Sequence, residues 1–71
     1  MQMQMHITDE RGRRRRATVS YDAFDHQVAW VAEVEGDGQD VPLSGTAADE
    51  AGVAPAVQVA ALRWGIASRR G

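Results

Sequence analysis

The strict alternation of Gln2-Met3-Gln4-Met5-His6-Ile7-Thr8 leaves this stretch one regular conformation in which it can bury a face. Successive side chains of a β-strand point to opposite sides, so Met3, Met5 and Ile7 share one face and Gln2, Gln4, His6 and Thr8 the other. A half-apolar strand needs paired neighbours and a covering layer, and the rest of the chain offers both. Asp9-Glu10-Arg11-Gly12 reads as a turn. A three-residue loop of Glu10, Arg11 and Gly12, with Gly12 in the left-handed conformation, sets Asp9 opposite Arg13, Ile7 opposite Arg15, Met5 opposite Ala17 and Met3 opposite Val19.

The second strand is expected over roughly residues 13–21, with Ala17, Val19 and Tyr21 inward and Arg14, Arg16, Thr18 and Ser20 outward. Arg15 falls on the inward side near the strand start, where its stem covers apolar surface and its head reaches water. The aspartates flanking residues 22–26 mark a loop. Residues 27–35 alternate again, with Val28, Trp30, Ala32 and Val34 on one face. Matching the apolar faces across a loop of residues 22–27 places Tyr21 opposite Val28, Val19 opposite Trp30 and Ala17 opposite Ala32. That register also sets Arg16 against Glu33 and Arg14 against Glu35. Gly36-Asp37-Gly38 is a turn, and residues 39–43 form a short fourth strand that Pro42 confines to an edge. Ser44-Gly45-Thr46 ends the sheet.

Thr46 followed by Asp49 and Glu50 reads as a helix start, its hydroxyl the cap and its acids matched to the helix dipole. Gly52 and Pro55 interrupt that segment, so the main helix is expected over about residues 55–68, with Arg69 and Arg70 at its negative end. At 100° per residue, Val53, Val57, Ala60, Ala61, Trp64, Ala67 and Ser68 fall on one broad face. Val59, Leu62 and Ile66 form a second apolar stripe on nearly the opposite side, bounded by Gln58, Arg63, Arg69 and Arg70. One helix on one small sheet cannot bury both.

The expected fold is therefore α+β: an antiparallel β-meander of three to four strands packed on one face by a C-terminal α-helix, in the order βββ(β)α. One domain spans residues 1–71, with the meander at about 2–43 and the helical segment at about 46–69. Seventy-one residues suffice for one core and not two. The chain has no cysteine, which excludes disulfides and thiolate chemistry and leaves self-association as the means of offsetting small size. Each valine, leucine or isoleucine left in water forgoes roughly 1.5–3 kcal/mol. The second stripe therefore points to a homodimer, with Val59, Leu62, Ile66 and Arg63 as its interface.

Charge is unevenly distributed around a net value of −2. Residues 22–50 carry eight acids and no arginine or lysine, whereas Arg11 and the run from Arg13 to Arg16 dominate the N-terminal third. Guanidinium groups pair bidentately with phosphate, so Arg11, Arg13, Arg14 and Arg16 are the candidates for contact with nucleic acid or an acidic protein partner. No aromatic residue alternates with them as a stacking platform, and the acids across the sheet offer them partners, which makes nucleic acid the alternative and not the first reading. Ser20, Ser44, Ser68, His6 and His26 sit in no recognisable nucleophile motif, so no enzyme is expected. Asp22, Asp25 and His26 carry metal-ligand atoms but read as turn chemistry and solvated charge; no metal and no cofactor is expected. No fully apolar stretch approaches the length of a membrane span, and the N-terminal alternation is unlike a secretory signal, so the cytoplasm is the expected compartment. The expected role is that of a small bacterial-type accessory or interaction module.

One resemblance bears on the alternative. Over about residues 31–66, strands are followed by a glycine–threonine turn, a loose GTxxDEA stretch at residues 45–51 and a C-terminal helix, an order that resembles the small HicB-type antitoxin modules of toxin–antitoxin pairs. The chain departs from that family in lacking its proline–glycine–cysteine region. The resemblance implies an antitoxin-like regulator using the arginine-rich hairpin.

Overall fold

The computed structural model describes residues 1–67. Four strands, β1 (Gln2–Thr8), β2 (Arg14–Phe24), β3 (Gln27–Val34) and β4 (Val41–Ala47), form one antiparallel sheet in the order β1-β2-β3-β4. A 3₁₀ turn, Glu50–Gly52, leads into helix α1, Val53–Trp64, which packs on one face of the sheet. The fold is the α+β meander with a C-terminal helix that the alternation and the helical periodicity call for.

The first hairpin follows from its sequence in detail. Asp9 N–H donates to the Arg13 carbonyl at 2.8 Å, Gly12 has φ +79°, and Ile7, Met5 and Met3 lie opposite Arg15, Ala17 and Val19. The second hairpin differs from expectation. β2 runs on to Phe24, and the connection is only Asp25-His26, with φ of 49° and 66°. Two consecutive left-handed residues make the tight turn whose twist suits a two-residue hairpin, and aspartate and histidine enter that region more readily than most side chains. The β2–β3 register is accordingly shifted by two residues: Tyr21 faces Trp30, Val19 faces Ala32 and Ala17 faces Val34. Glu33 lies opposite Thr18, not Arg16, and the Glu35 N–H bonds the Arg16 carbonyl at 2.8 Å, so neither the Arg16–Glu33 nor the Arg14–Glu35 pairing forms.

β4 is also displaced relative to residues 39–43. Ser44, Gly45 and Thr46 do not end the sheet; they continue β4 alongside β3. Trp30 requires this placement of Gly45: a Cβ there would lie 2.8 Å from the indole Cζ2, so only glycine lets the ring lie over β4. Thr46 is thus a strand residue and not a cap. Asp49 takes that role, its Oδ1 accepting the Gly52 N–H at 2.9 Å. Pro55 occupies the first turn of α1, where its missing N–H is no loss.

The core lies between sheet and helix. Ile7, Ala17, Val19, Tyr21, Val28, Trp30, Ala32, Val34, Val41 and Leu43 meet Val53, Val57 and Ala61 of α1. Helix α1 ends at Trp64, short of residue 68, because Gly65 takes φ +77° and returns its N–H to the Ala61 carbonyl at 3.0 Å. A left-handed glycine after a helix turns the chain back so that the next residue packs on the core. Ile66 does so and is fully buried. It therefore continues the buried series in place of Trp64, which is 59% exposed near Pro42, Leu43 and Ser44. Ser68, Arg69 and Arg70 lie outside the described residues.

Candidate interaction surface

The expected interface residues are separated by the break at Gly65. Val59 and Leu62 are 55% and 49% exposed on the outer side of α1, with Arg63 exposed beside them. Ile66 does not join them; its burial removes it from any surface contact. The outer stripe is thus shorter than the periodicity alone implies, and Val59, Leu62 and Arg63 remain together.

The side of α1 one step round from this stripe grips the edge of the sheet. Gln58 Oε1 accepts the Thr8 N–H at 2.9 Å, and Gln58 Nε2 donates to the Thr8 carbonyl at 2.8 Å. The side-chain amide therefore stands in for one residue of a fifth strand. Nothing in the hydrophobic pattern distinguishes this glutamine, whose position beside two apolar faces is the only sequence signal it gives.

The arginines divide according to the strand period. Arg14 and Arg16 stand on the uncovered face of the sheet, where with His6 and Glu35 they line a shallow depression of about 270 Å³. An Arg14 guanidinium nitrogen lies 3.4 Å from His6 Nδ1. Among the described residues neither arginine forms an ion pair with a carboxylate. Arg11 and Arg13 are exposed at the hairpin tip.

Arg15 points the other way, and its head does not reach water. Its Nε donates to Asp9 Oδ2 at 2.8 Å, and its two terminal nitrogens bind the two Asp37 carboxylate oxygens at 3.0 and 3.2 Å. The β1–β2 and β3–β4 turns are thereby joined through one buried guanidinium. Asp9 also accepts the N–H groups of Arg11 and Arg13, both at 2.9 Å, which fixes the shape of the first turn. Burial pushes the Asp9 carboxyl up, but the Arg15 bond and the two backbone donors outweigh it and hold the group below its ordinary value. Asp37 is held low by the same guanidinium. The cluster is a structural clamp: all three guanidinium nitrogens of Arg15 donate to Asp9, Asp37 or the Glu35 carbonyl.

At the far end of the sheet, Tyr21, Phe24, His26, Asp49 and Glu50 border an open groove of about 600 Å³. The Tyr21 hydroxyl donates to Glu50 Oε1 at 2.8 Å, and this bond, with burial, raises the phenol above its ordinary value. Asp25 and His26 are held by their turn. Among the described residues no group of three or more His, Cys, Asp or Glu is placed to hold a metal ion. Nor is any helix among them long and apolar enough to cross a membrane. No family model, curated protein or solved structure matches the chain.

Proposed function

We propose that this chain is a small, non-enzymatic interaction module of bacterial type that works in the cytoplasm as a homodimer, with the outer side of α1 in the contact. The observation that carries this reading is the exposure of Val59 and Leu62 on a helix whose opposite side already fills the core. In a chain of 71 residues without a disulfide, covering the exposed halves of these two side chains is worth about 1.5–3 kcal/mol per subunit, a sizeable part of the stability available. Ile66, being in the core, belongs to the fold and not to the contact. Leu62→Glu tests the reading by light scattering: a charge at the centre of the contact yields monomers, and a variant that keeps the dimer mass refutes it.

A second reading is favoured by a different observation, the lack of carboxylate partners for Arg14 and Arg16 on the uncovered sheet face. With Arg11 and Arg13 they would bind nucleic acid or an acidic protein, as an antitoxin-like regulator does. Reversing Arg14 and Arg16 to glutamate abolishes salt-dependent binding to RNA or DNA under this reading and leaves the mass unchanged under the first.

A further inference from the structure

Strand β1 has only one sheet neighbour, β2, so half of its backbone groups face outward. Which half is fixed by three observations. The Met1 carbonyl accepts the Tyr21 N–H and the Asp9 N–H donates to Arg13, so the odd-numbered residues face β2. Thr8 turns both its N–H and its carbonyl to Gln58, so the even-numbered residues face away. Thr8 is closed by that amide. Gln2, Gln4 and His6 present their donors and acceptors with no partner among the described residues.

Exposed edges in natural sheets are blunted by proline, lysine, bulges or a covering element. The opposite edge, β4, carries Pro42. β1 carries neither proline nor arginine nor lysine, and it pairs with β2 without a bulge from Gln2 to Thr8. Only its last residue is covered. The edge is uncharged apart from the titratable His6, so a strand of the same sequence meets no like-charge repulsion on it when His6 is neutral.

We propose that β1 pairs antiparallel with β1 of a second copy, joining two four-stranded sheets into one across a two-fold axis at Gln4. This deepens the homodimer reading above and rests on it. The register follows from the clasp at Thr8. Hydrogen-bonded pairs must join outward-facing residues, and a two-fold axis requires that the pairing be its own reverse. Centring on Gln4 sets Gln2 opposite the partner's His6 and Gln4 opposite the partner's Gln4. All three open residues are used, and Thr8 of each copy is left with its Gln58. A shift toward the C-terminus would bring Thr8 into the ladder and expel the clasp; a shift the other way strands His6.

The same register places Met3 opposite the partner's Met5 on the helix side, where both are already partly buried against the core. On the uncovered face the glutamine amides stack across the axis. Gln58 shows which side of α1 overlooks this edge. Leu62, one turn further on, lies about 40° from it around the helix and so leans toward the second copy. Strand pairing and the helix stripe are then parts of one contact.

The absence of cysteine makes the geometry testable by crosslinking. Across the axis the two Gln4 Cα atoms would stand about 5.5 Å apart, within disulfide reach, whereas Gln2 and its own copy would be separated by roughly four residues of strand. Gln4→Cys is expected to form a disulfide-linked dimer under mild oxidation, and Gln2→Cys is not. Gln4→Pro removes an N–H that β2 does not use, and Gln4→Lys sets two ammonium groups against each other; each raises the dissociation constant by about tenfold or more. Circular dichroism and urea midpoints show whether each variant folds, and the lysine variant carries the test if the proline variant does not. A wild-type dimer in which Gln4→Cys crosslinks no faster than Gln2→Cys, or in which folded Gln4→Lys associates unchanged, overturns the strand pairing and leaves the helix contact standing. A wild-type monomer overturns both.

Discussion

Truncating Ile66 to alanine removes three carbons from a side chain with no exposure to solvent. At about 0.8 kcal/mol per buried carbon the transfer loss is about 2.4 kcal/mol. The cavity left behind brings the total to about 3–4 kcal/mol, within the usual range for such truncations. A chain of 71 residues holds roughly 4–10 kcal/mol of stability in all. Leu62→Ala also removes three carbons, but from a side chain that is half exposed, and alanine is the better helix former. Its loss should be about 1 kcal/mol or less. With a urea slope of about 1 kcal/mol per molar, Ile66→Ala lowers the unfolding midpoint by about 3–4 M and Leu62→Ala by about 1 M at most. Both variants are unfolded by urea under circular dichroism at two protein concentrations. Because the midpoint of a dimer rises with protein concentration and that of a monomer does not, loss of the dimer contact makes the Leu62→Ala deficit relative to the unmodified chain grow with concentration, whereas the Ile66→Ala deficit is the same at each. If Ile66→Ala does not fold at all, Ile66→Val supplies a graded loss of about 0.5–1.5 kcal/mol. Equal shifts for the two alanine variants would refute the placement of Ile66 in the core and of Leu62 outside it.

Three further outcomes follow from other parts of the fold. Asp9 and Asp37 titrate below the ordinary 3.8 in the folded chain, so their contribution to stability is intact above that value and is lost as pH falls through their folded values. The urea midpoint should therefore hold steady down to about pH 4 and drop below it, with a smaller drop in Asp37→Asn; an equal drop in that variant would contradict the clamp. Tyr21 is the only tyrosine, so phenolate absorbance reads it alone. It should ionise above 10, its stabilisation intact below that value and lost as pH rises through the folded value, and Glu50→Gln should bring the transition down; an ordinary transition in the unmodified protein would contradict the Tyr21–Glu50 bond. Replacing Asp25-His26 with Asn-Gly relieves two left-handed residues and should raise Tm by about 4–8 °C, for a gain of about 1 kcal/mol; a fall in Tm would argue against the two-residue turn.

The limits of sequence reading in this chain have physical causes. Alternation has a period of two, so it fixes which face a residue takes but cannot detect a slip of two residues. The β2–β3 register was open to that error, and Tyr21 stays inward whether it faces Val28 or Trp30. The first hairpin escaped it because Gly12 pinned the loop length. Asp25-His26 gave no such pin, lacking the glycine that usually marks a two-residue turn. At the helix end, apolar periodicity ran through Gly65 to Ile66 and concealed a chain reversal that returns Ile66 to the core by another route. Period two puts Arg15 on the inward face, but its partners Asp9 and Asp37 come from two separate turns, and only the closed sheet brings them together. The exposed residues Val59, Leu62 and Arg63, and the outward arginines 14 and 16, were legible because each depends only on local periodicity.

Self-association is tested most directly by sedimentation equilibrium of the unmodified chain over a roughly hundredfold range of concentration. A mass rising to twice 7.7 kDa, and no further, is the expected result. A mass that stays at 7.7 kDa throughout would contradict the contact through Val59 and Leu62 and the strand pairing at Gln4 alike.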